Sequence, residues 1–300
     1  GVAALVTGSL FEEEVLLEKY KFEEDLTKYN YKYAEMTDVF PSLEHAGPEE
    51  HLMWVRKTKE AVSIPVIGSL NALHDDIWVD YAKKMEQTGV DALELNLYQF
   101  PTDFSLNGND LETKQLEQLK QVLKAVSIPV TVKLSPFYTN HINFISQLDK
   151  AGIHGFVLFN RFFQPDIDIN EEKNTFPFHL STREDARLPL RYTGLLHGEI
   201  KGDICASTGV YEGEDVVKML LAGANCVQTV SALYKNKISS VSTMLKSLGD
   251  WMDKKGYASI KDFKGKLSRK ESKDPNVYTR SQYVKLLLHP EVIIKNFPVL

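Results

Sequence analysis

The sequence predicts an α/β fold, a (β/α)8 TIM barrel lacking its first βα unit, and three observations carry that reading. Short apolar, β-branched runs recur down the whole chain, each followed by a polar loop and a helix-period segment. The junctions between helices and strands repeat in two forms. Polar and glycine-bearing residues gather at the carboxyl ends of many of the runs, where a barrel keeps its chemistry.

The runs are Val2 to Thr7, Pro65 to Leu70, Asp91 to Leu97, Val130 to Leu134, Gly155 to Asn160, Asp203 to Ser207 and Asn225 to Val230. Their continuous apolar character, without alternation, marks parallel strands covered on both faces. One junction form is Ala61-Val62-Ser63-Ile64-Pro65-Val66, echoed by Ala125-Val126-Ser127-Ile128-Pro129-Val130. The other is a helix closed by a glycine cap and followed at once by a strand, at Gly89, Gly152 and Gly223. Gly1 followed by Val2-Ala3-Ala4-Leu5-Val6 fits the second form, so a helix, and with it one βα unit, is expected upstream. Seven visible units plus that one make the eight that close a barrel. An open doubly wound sheet is the runner-up, but no GxGxxG follows the early strands.

Two connections are longer than usual. Phe11 to Glu44 carries Glu12, Glu13 and Glu14 in its opening turn, where carboxylates complement a helix N-terminus, and reads as a solvated surface helix. Arg161 to Arg183 follows a strand's carboxyl end, mixes charge with Phe162, Phe163, Phe176 and Phe178, and reads as a lid-like insertion in a single domain spanning residues 1–300.

With 300 residues, 43% hydrophobic and 25% charged, the chain is neither disordered, collagenous nor a coiled coil. A net charge of −6 supplies no basic field for nucleic acid or an anionic membrane, and no apolar run approaches a bilayer span. Cys205 and Cys226 form no CxxC pair, so neither a disulfide framework nor a metal ligand set is expected; they read as reduced core residues of a cytoplasmic protein.

Ser207-Thr208-Gly209-Val210 ends the penultimate strand and Gln228-Thr229-Val230-Ser231-Ala232 the last, and adjacent strand ends of this kind build a phosphate cradle in barrels. Lys133, inside Val130-Thr131-Val132-Lys133-Leu134-Ser135-Pro136, is a cation in an apolar strand. Three uses compete for it: a salt bridge, a Schiff-base nucleophile, and a charge beside an electron-rich cofactor ring. Asn96 and Asn160 end two further strands, where an amide suits either a core hydrogen bond or an imide-like ring edge. Glu94 reads as structural.

These segments, Glu94-Leu95-Asn96-Leu97, Val132 to Pro136, Ser207 to Asp215 and Leu221 to Leu233, resemble the dihydroorotate dehydrogenase family of the soluble class 1 type, most of all its dihydroorotate dehydrogenase-like subgroup. Lys255-Gly256-Tyr257 to Leu267 is similar to that family's C-terminal helix and tail. The resemblance implies an FMN-containing oxidoreductase of pyrimidine metabolism that oxidises a CH–CH bond, with no metal and with a small-molecule substrate, and suggests a homodimer. By position, Lys133 would lie by the flavin ring, Asn96 and Asn160 near flavin and substrate, and Thr208, Gly209, Val230 and Ser231 at the FMN phosphate.

The departures bear on the reaction. The family's Ser-Cys-Pro-Asn run, with its cysteine base, is replaced by Tyr98-Gln99-Phe100-Pro101. Asp103 and Ser105 lie further along the same loop and could substitute as catalytic groups. The family's lysine after the second strand is replaced in Thr7-Gly8-Ser9, and its orotate loop has no clear equivalent in Glu35 to Phe40. Arg161 stands where a small hydroxyl usually follows the strand asparagine and would be available for a substrate carboxylate. Two other readings are a barrel lyase or isomerase using Lys133 as nucleophile, and a flavin-binding protein without turnover.

Overall fold

The structure is a computed structural model that describes residues 1–16, 48–72, 74–99, 101–289, 291 and 295. Glu35 to Phe40, in which the family's orotate loop has no clear equivalent, and Phe100 lie outside the described residues. The fold is α/β with parallel strands, of the barrel class that the sequence predicts. The chain divides into two compact units, Val2–Gly155 and Phe156–Leu300, the second including Gly1.

In the N-terminal unit, β1 (Leu5–Val6), β2 (Leu10–Phe11), β3 (Val66–Asn71), β4 (Ala92–Asn96) and β5 (Val130–Leu134) are parallel. They are joined by α1 (Glu49–Ala61), α2 (Asp75–Glu86) and α3 (Gly108–Ala125), and α4 (His141–Ala151) follows β5. The strand expected from Val2 to Thr7 is split. β1 and β2 both pair with β3, with Val6 opposite Ile67 and Leu10 opposite Leu70. Thr7, Gly8 and Ser9 thus face only Gly68 and Ser69, which makes one extra residue and a bulge. The bulge is held by Ser69 N donating to Thr7 Oγ1 (3.1 Å) and by a 2.6 Å hydrogen bond between the Ser9 and Ser69 hydroxyls.

The apolar strand residues are buried as their continuous pattern requires: Val66, Leu70, Leu93, Leu95, Val130, Val132 and Leu134 are wholly enclosed. α2 lays Trp78, Tyr81, Ala82 and Met85 on them, and Gly68 is the residue whose missing Cβ gives Met85 its place. The repeated Ser-Ile-Pro junctions share a device. The first is held by Asp91, which accepts from Val66 N (2.7 Å) and Lys59 Nζ (2.6 Å). In the second, Glu86 accepts from both the amide and the hydroxyl of Ser127.

The C-terminal unit contains β6 (Gly155–Leu158, from its second residue on), β9 (Asp203–Ser207) and β10 (Cys226–Gln228) in adjacent order, with α5 (Arg187–Leu196) and α6 (Gly213–Ala222) between them. α7 (Ser231–Asn236), α8 (Ser240–Lys255) and α9 (Ser281–Leu288) complete it. Of the expected strands Gly155 to Asn160, Asp203 to Ser207 and Asn225 to Val230, the middle one keeps its bounds, whereas the first and the last are shorter than their apolar runs suggest, ending at Leu158 and Gln228. The 161–183 segment contains an antiparallel hairpin, β7 (Asp166–Asp168) with β8 (Lys173–Thr175), which the residue pattern does not announce. Cys205 and Cys226 face each other in register on β9 and β10 and form no disulfide. Cys226 is exposed, so its reading as a core residue is corrected: β10 leaves that face uncovered at its first residue.

The three expected cap glycines, Gly89, Gly152 and Gly223, all have positive φ. A tail of residues 263–267 lies along the end of α6, with Gly265 N donating to Leu220 O and Leu267 N to Leu221 O, both at 2.9 Å. The ring of His197 fills the space against Gly223 and Gly265 where side chains would be. Substituting Gly152, which has open space around it, by alanine is expected to cost about 1–2 kcal/mol for the left-handed backbone alone. Gly265→Ala should cost about 1–3 kcal/mol more, because its Cβ would collide with His197. Urea unfolding of the two variants side by side checks the difference, and equal losses would contradict the packing role of His197.

Candidate active site

Parallel pairing puts the carboxyl ends of β3, β4 and β5 along one edge of the N-terminal unit's sheet. Register sets Asn96 opposite Lys133. Glu94, two residues earlier on β4, shares their face, and its carboxylate lies 3.6 Å from Lys133 Nζ. Glu94 is 3% exposed and Lys133 19%, so of the competing uses the salt bridge is present, with the ammonium toward the more open side. Asn96 is buried, and its carbonyl accepts from Asn71 Nδ2 at 2.5 Å. Asn71 ends β3 as Asn96 ends β4. Sequence reasoning passed over it, although a third strand-end asparagine was the signal that could have found it.

One step beyond β2 the expectation for Glu12 fails. Phe11 pairs with Asn71, so Glu12 falls beside the loop leaving β3 and is buried at 4% exposure, not solvated as a surface helix residue. Its carboxylate accepts from His74 N (3.1 Å) and lies 2.5 Å from His74 Nδ1. The imidazole itself is 66% exposed. The hydrogen bond to Glu12, then its negative charge, raises the His74 pKa above its ordinary value. Glu13 and Glu14 are exposed as expected.

The loop after β4 holds the candidate catalytic groups. Gln99 accepts from Gln115 Nε2 (3.2 Å), and Gln115 in turn accepts from the half-buried Tyr138 hydroxyl (2.9 Å). Burial drives the Tyr138 pKa far up, so the phenol stays a neutral donor. Asp103 and Ser105 are brought together: Ser105 N (2.8 Å) and Ser105 Oγ (2.7 Å) both donate to Asp103 Oδ1 in an exposed turn. The serine hydroxyl, then its amide, lowers the Asp103 pKa.

In the C-terminal unit, Thr208 and Gly209 take positive φ values of 80° and 76° after β9. Thr208 Oγ1 donates to Phe159 O (2.9 Å), tying the end of β9 to the residue before Asn160. Thr229 Oγ1 donates to Val210 O (2.9 Å), tying the loop after β10 to the same turn. A side chain at Gly209 would strike the backbone of Ala186 and Thr182. Val230 is exposed, and Ser231 Oγ accepts from Ser181 N at 3.1 Å. The loop from Tyr211 to Asp215 is shaped by the buried Asp215 carboxylate, which accepts from Tyr211 N and Glu212 N (both 3.1 Å) and from Arg183 Nη2 (2.9 Å).

The 161–183 segment is anchored at both ends. Phe162 is buried, whereas Phe176 and Phe178 are exposed, with Phe178 stacked on Phe163 at 5.3 Å. Arg161 donates to His179 O and its Nε lies 3.5 Å from Asp185, so its guanidinium is already engaged inside this unit. Among the described residues no cluster of His, Cys, Asp and Glu is arranged to hold a metal ion, and no helix is long and apolar enough to cross a membrane.

The family model for dihydroorotate dehydrogenase matches residues 43–252. The chain belongs to the dihydroorotate dehydrogenase family. It is 30% identical over 206 residues to the catalytic subunit of dihydroorotate dehydrogenase B (NAD(+)) of Thermoplasma acidophilum, covering 67% of this chain and 68% of the relative. The corresponding subunit of Thermoplasma volcanium is 29% identical over 230 residues, covering 75% and 73%. Dihydroorotate dehydrogenase A (fumarate) of Lactobacillus helveticus is 25% identical over 213 residues, covering 68% of each chain. The family match spans the strand ends just described, from β3 to the loop after β10.

Asp215 yields a pH prediction. Burial pushes its pKa up, but the Arg183 hydrogen bond and charge and the Tyr211 and Glu212 amides outweigh this and hold it below the ordinary 3.8. A depressed folded value means that its stabilisation is present above about pH 4 and is lost as the pH falls through the lower folded value. Acid unfolding of Asp215→Asn should therefore show a shallower stability loss below pH 4 than the parent. Parallel curves would remove Asp215 as the group responsible.

Proposed function

We propose that this chain is an FMN-dependent oxidoreductase that takes hydrogen from a CH–CH bond of dihydroorotate or a related cyclic amide in pyrimidine metabolism. The observation that carries this reading is Lys133, a partly exposed ammonium ion-paired to the buried Glu94 and set opposite Asn96 at the carboxyl end of β5, in a chain of this family. A fixed ion pair is the arrangement of a positioned charge rather than of a nucleophilic amine. The donor set fits the group: a cation and amides suit the flavin ring, and hydroxyls with a glycine turn suit a phosphate.

In this reading Lys133 and Asn96 hold the electron-rich edge of the ring. Thr208, Gly209, Val230 and Ser231 hold the phosphate. Asn96 and Asn160 orient the substrate amide, and Arg161 exchanges its contacts with His179 O and Asp185 for a substrate carboxylate. Bound FMN supplies the two-electron oxidant. Asp103 and Ser105 are the loop's candidates for taking the proton, with the Ser105 hydroxyl already donating to Asp103. The relatives' names divide between NAD(+) and fumarate, so both are acceptors to assay.

The test is the anaerobic visible spectrum of the FMN-loaded protein before and after L-dihydroorotate. Bleaching of the flavin band is expected. An unbleached band with dihydroorotate and with other dihydropyrimidines would overturn the reading. Lys133→Met is expected to weaken FMN binding about tenfold or more, about 1.4 kcal/mol or above, as read by equilibrium fluorescence titration. Unchanged binding would remove Lys133 from the flavin site.

A further inference from the structure

Resting on the reading above, we propose that the proton of the oxidised CH–CH bond is taken by His74, with Glu12 as its positioning residue. The placement comes from the sheet. Phe11 pairs with Asn71 at the end of β3, which sets Glu12 beside the turn into α2, and His74 is the residue that caps α2. Asn71 reaches from the same strand end to the carbonyl of Asn96, whose register partner is Lys133. His74 therefore stands on the sheet edge that carries the residues assigned to the flavin ring.

The pair is built as acid–base catalysts are. Glu12 is buried, and its two oxygens are divided between the backbone N–H and Nδ1 of one residue, His74. A carboxylate on Nδ1 fixes the proton there and leaves Nε2 as the accepting nitrogen. The ring is 66% exposed, so Nε2 is open to a substrate. The loop rivals are less suited. Asp103 is stabilised as its anion by Ser105, Ser105 spends its proton on Asp103, and Gln99 is an amide. A base works best when its pKa lies near the operating pH, and among these groups imidazole comes closest.

The step balances. The C–H bond on the carbon next to the carbonyl breaks, its proton goes to His74 Nε2, and its electron pair forms the C=C bond. Bound FMN would supply the two-electron acceptor for the hydride that leaves the neighbouring carbon. Glu12 then faces an imidazolium. The charges acting on His74 are Glu12 and Asp76, which favour the protonated ring, and Lys114, which opposes it. The net effect is an upward displacement, so the neutral, accepting form is gained as pH rises through a value above 6.5.

The experiment uses the FMN-loaded protein and reads the rate of flavin reduction by L-dihydroorotate against pH, together with histidine 15N NMR titration of the same protein. His74→Gln should bind FMN as the parent does, reduce it about 100-fold or more slowly at neutral pH, and lose the acid limb of the profile. Glu12→Gln should move that limb, and the NMR titration of His74, to lower pH, a displacement that a purely structural role would not produce. Reduction of the His74→Gln flavin at the parental rate and pH profile would overturn the proposal while leaving the proposed reaction standing. So would an NMR titration of His74 at or below 6.5, or a comparable loss confined to Ser105→Ala and Asp103→Asn. A parent protein that binds FMN but is reduced by no dihydropyrimidine would overturn the reaction itself and, with it, this role for His74.

Discussion

Parallel hydrogen bonding is the constraint on which the rest of the N-terminal unit depends. In a parallel ladder every strand ends on the same side, so whatever residue terminates each apolar run is delivered to one edge. Asn71 and Asn96 are those residues for β3 and β4, Lys133 stands opposite Asn96 one residue before the end of β5, and their neighbourhood follows from register before any side chain chooses a rotamer. The bulge at Thr7 to Ser9 belongs to the same logic. One extra residue between β1 and β2 holds the register back by one, from Val6 opposite Ile67 to Phe11 opposite Asn71, and so sets Glu12 one step past the end of β3, where its carboxylate meets His74.

Three buried carboxylates, Glu12, Glu94 and Asp215, do comparable work in separate places. Each is at most 4% exposed, and each is paired with a more exposed partner: His74, Lys133 and Arg183. Burying an ion pair adds little net stability, because desolvation consumes most of the attraction. What the arrangement does confer is position. The acid is fixed by the core, and its partner's charged end is held at the edge of the sheet or loop. Removing one of these acids would take away the buried anchor of its partner's charged end, which is why they matter more to geometry than their small area suggests.

Much of this was legible in the sequence. Continuous apolar runs gave the parallel strands, the two Ser-Ile-Pro junctions fell where helices hand over to strands, and Gly89, Gly152 and Gly223 took the positive φ that their cap role requires. Lys133 stood out because a cation in an apolar strand demands a partner, and Glu94 is that partner. What failed depended on contacts distant in the chain. The opening Glu12-Glu13-Glu14 turn looks uniformly solvated, and nothing local separates Glu12 from its neighbours; only pairing with a strand some sixty residues on makes the first of them interior. The hairpin within 161–183 was hidden for the converse reason. Its strands bury almost nothing, so no apolar pattern marks them.

That hairpin also limits what the segment can do. Its return end is not free: Ser181 donates its amide to Ser231, and its carbonyl accepts from both Tyr211 and Lys235, whose ammonium lies 5.1 Å from the Tyr211 ring centre. The backbone of Thr182 and Ala186 fills the space where a side chain at Gly209 would sit. Residues 181–186 are therefore part of the framework of the loops after β9 and β10, not a flap lying over them. At the other end, Phe162 is buried and Arg161 is held by His179 O and Asp185. If the segment closes over a substrate, the movement has to come from the stretch between these anchors, where Ile167, Ile169, Phe176 and Phe178 present apolar surface to solvent.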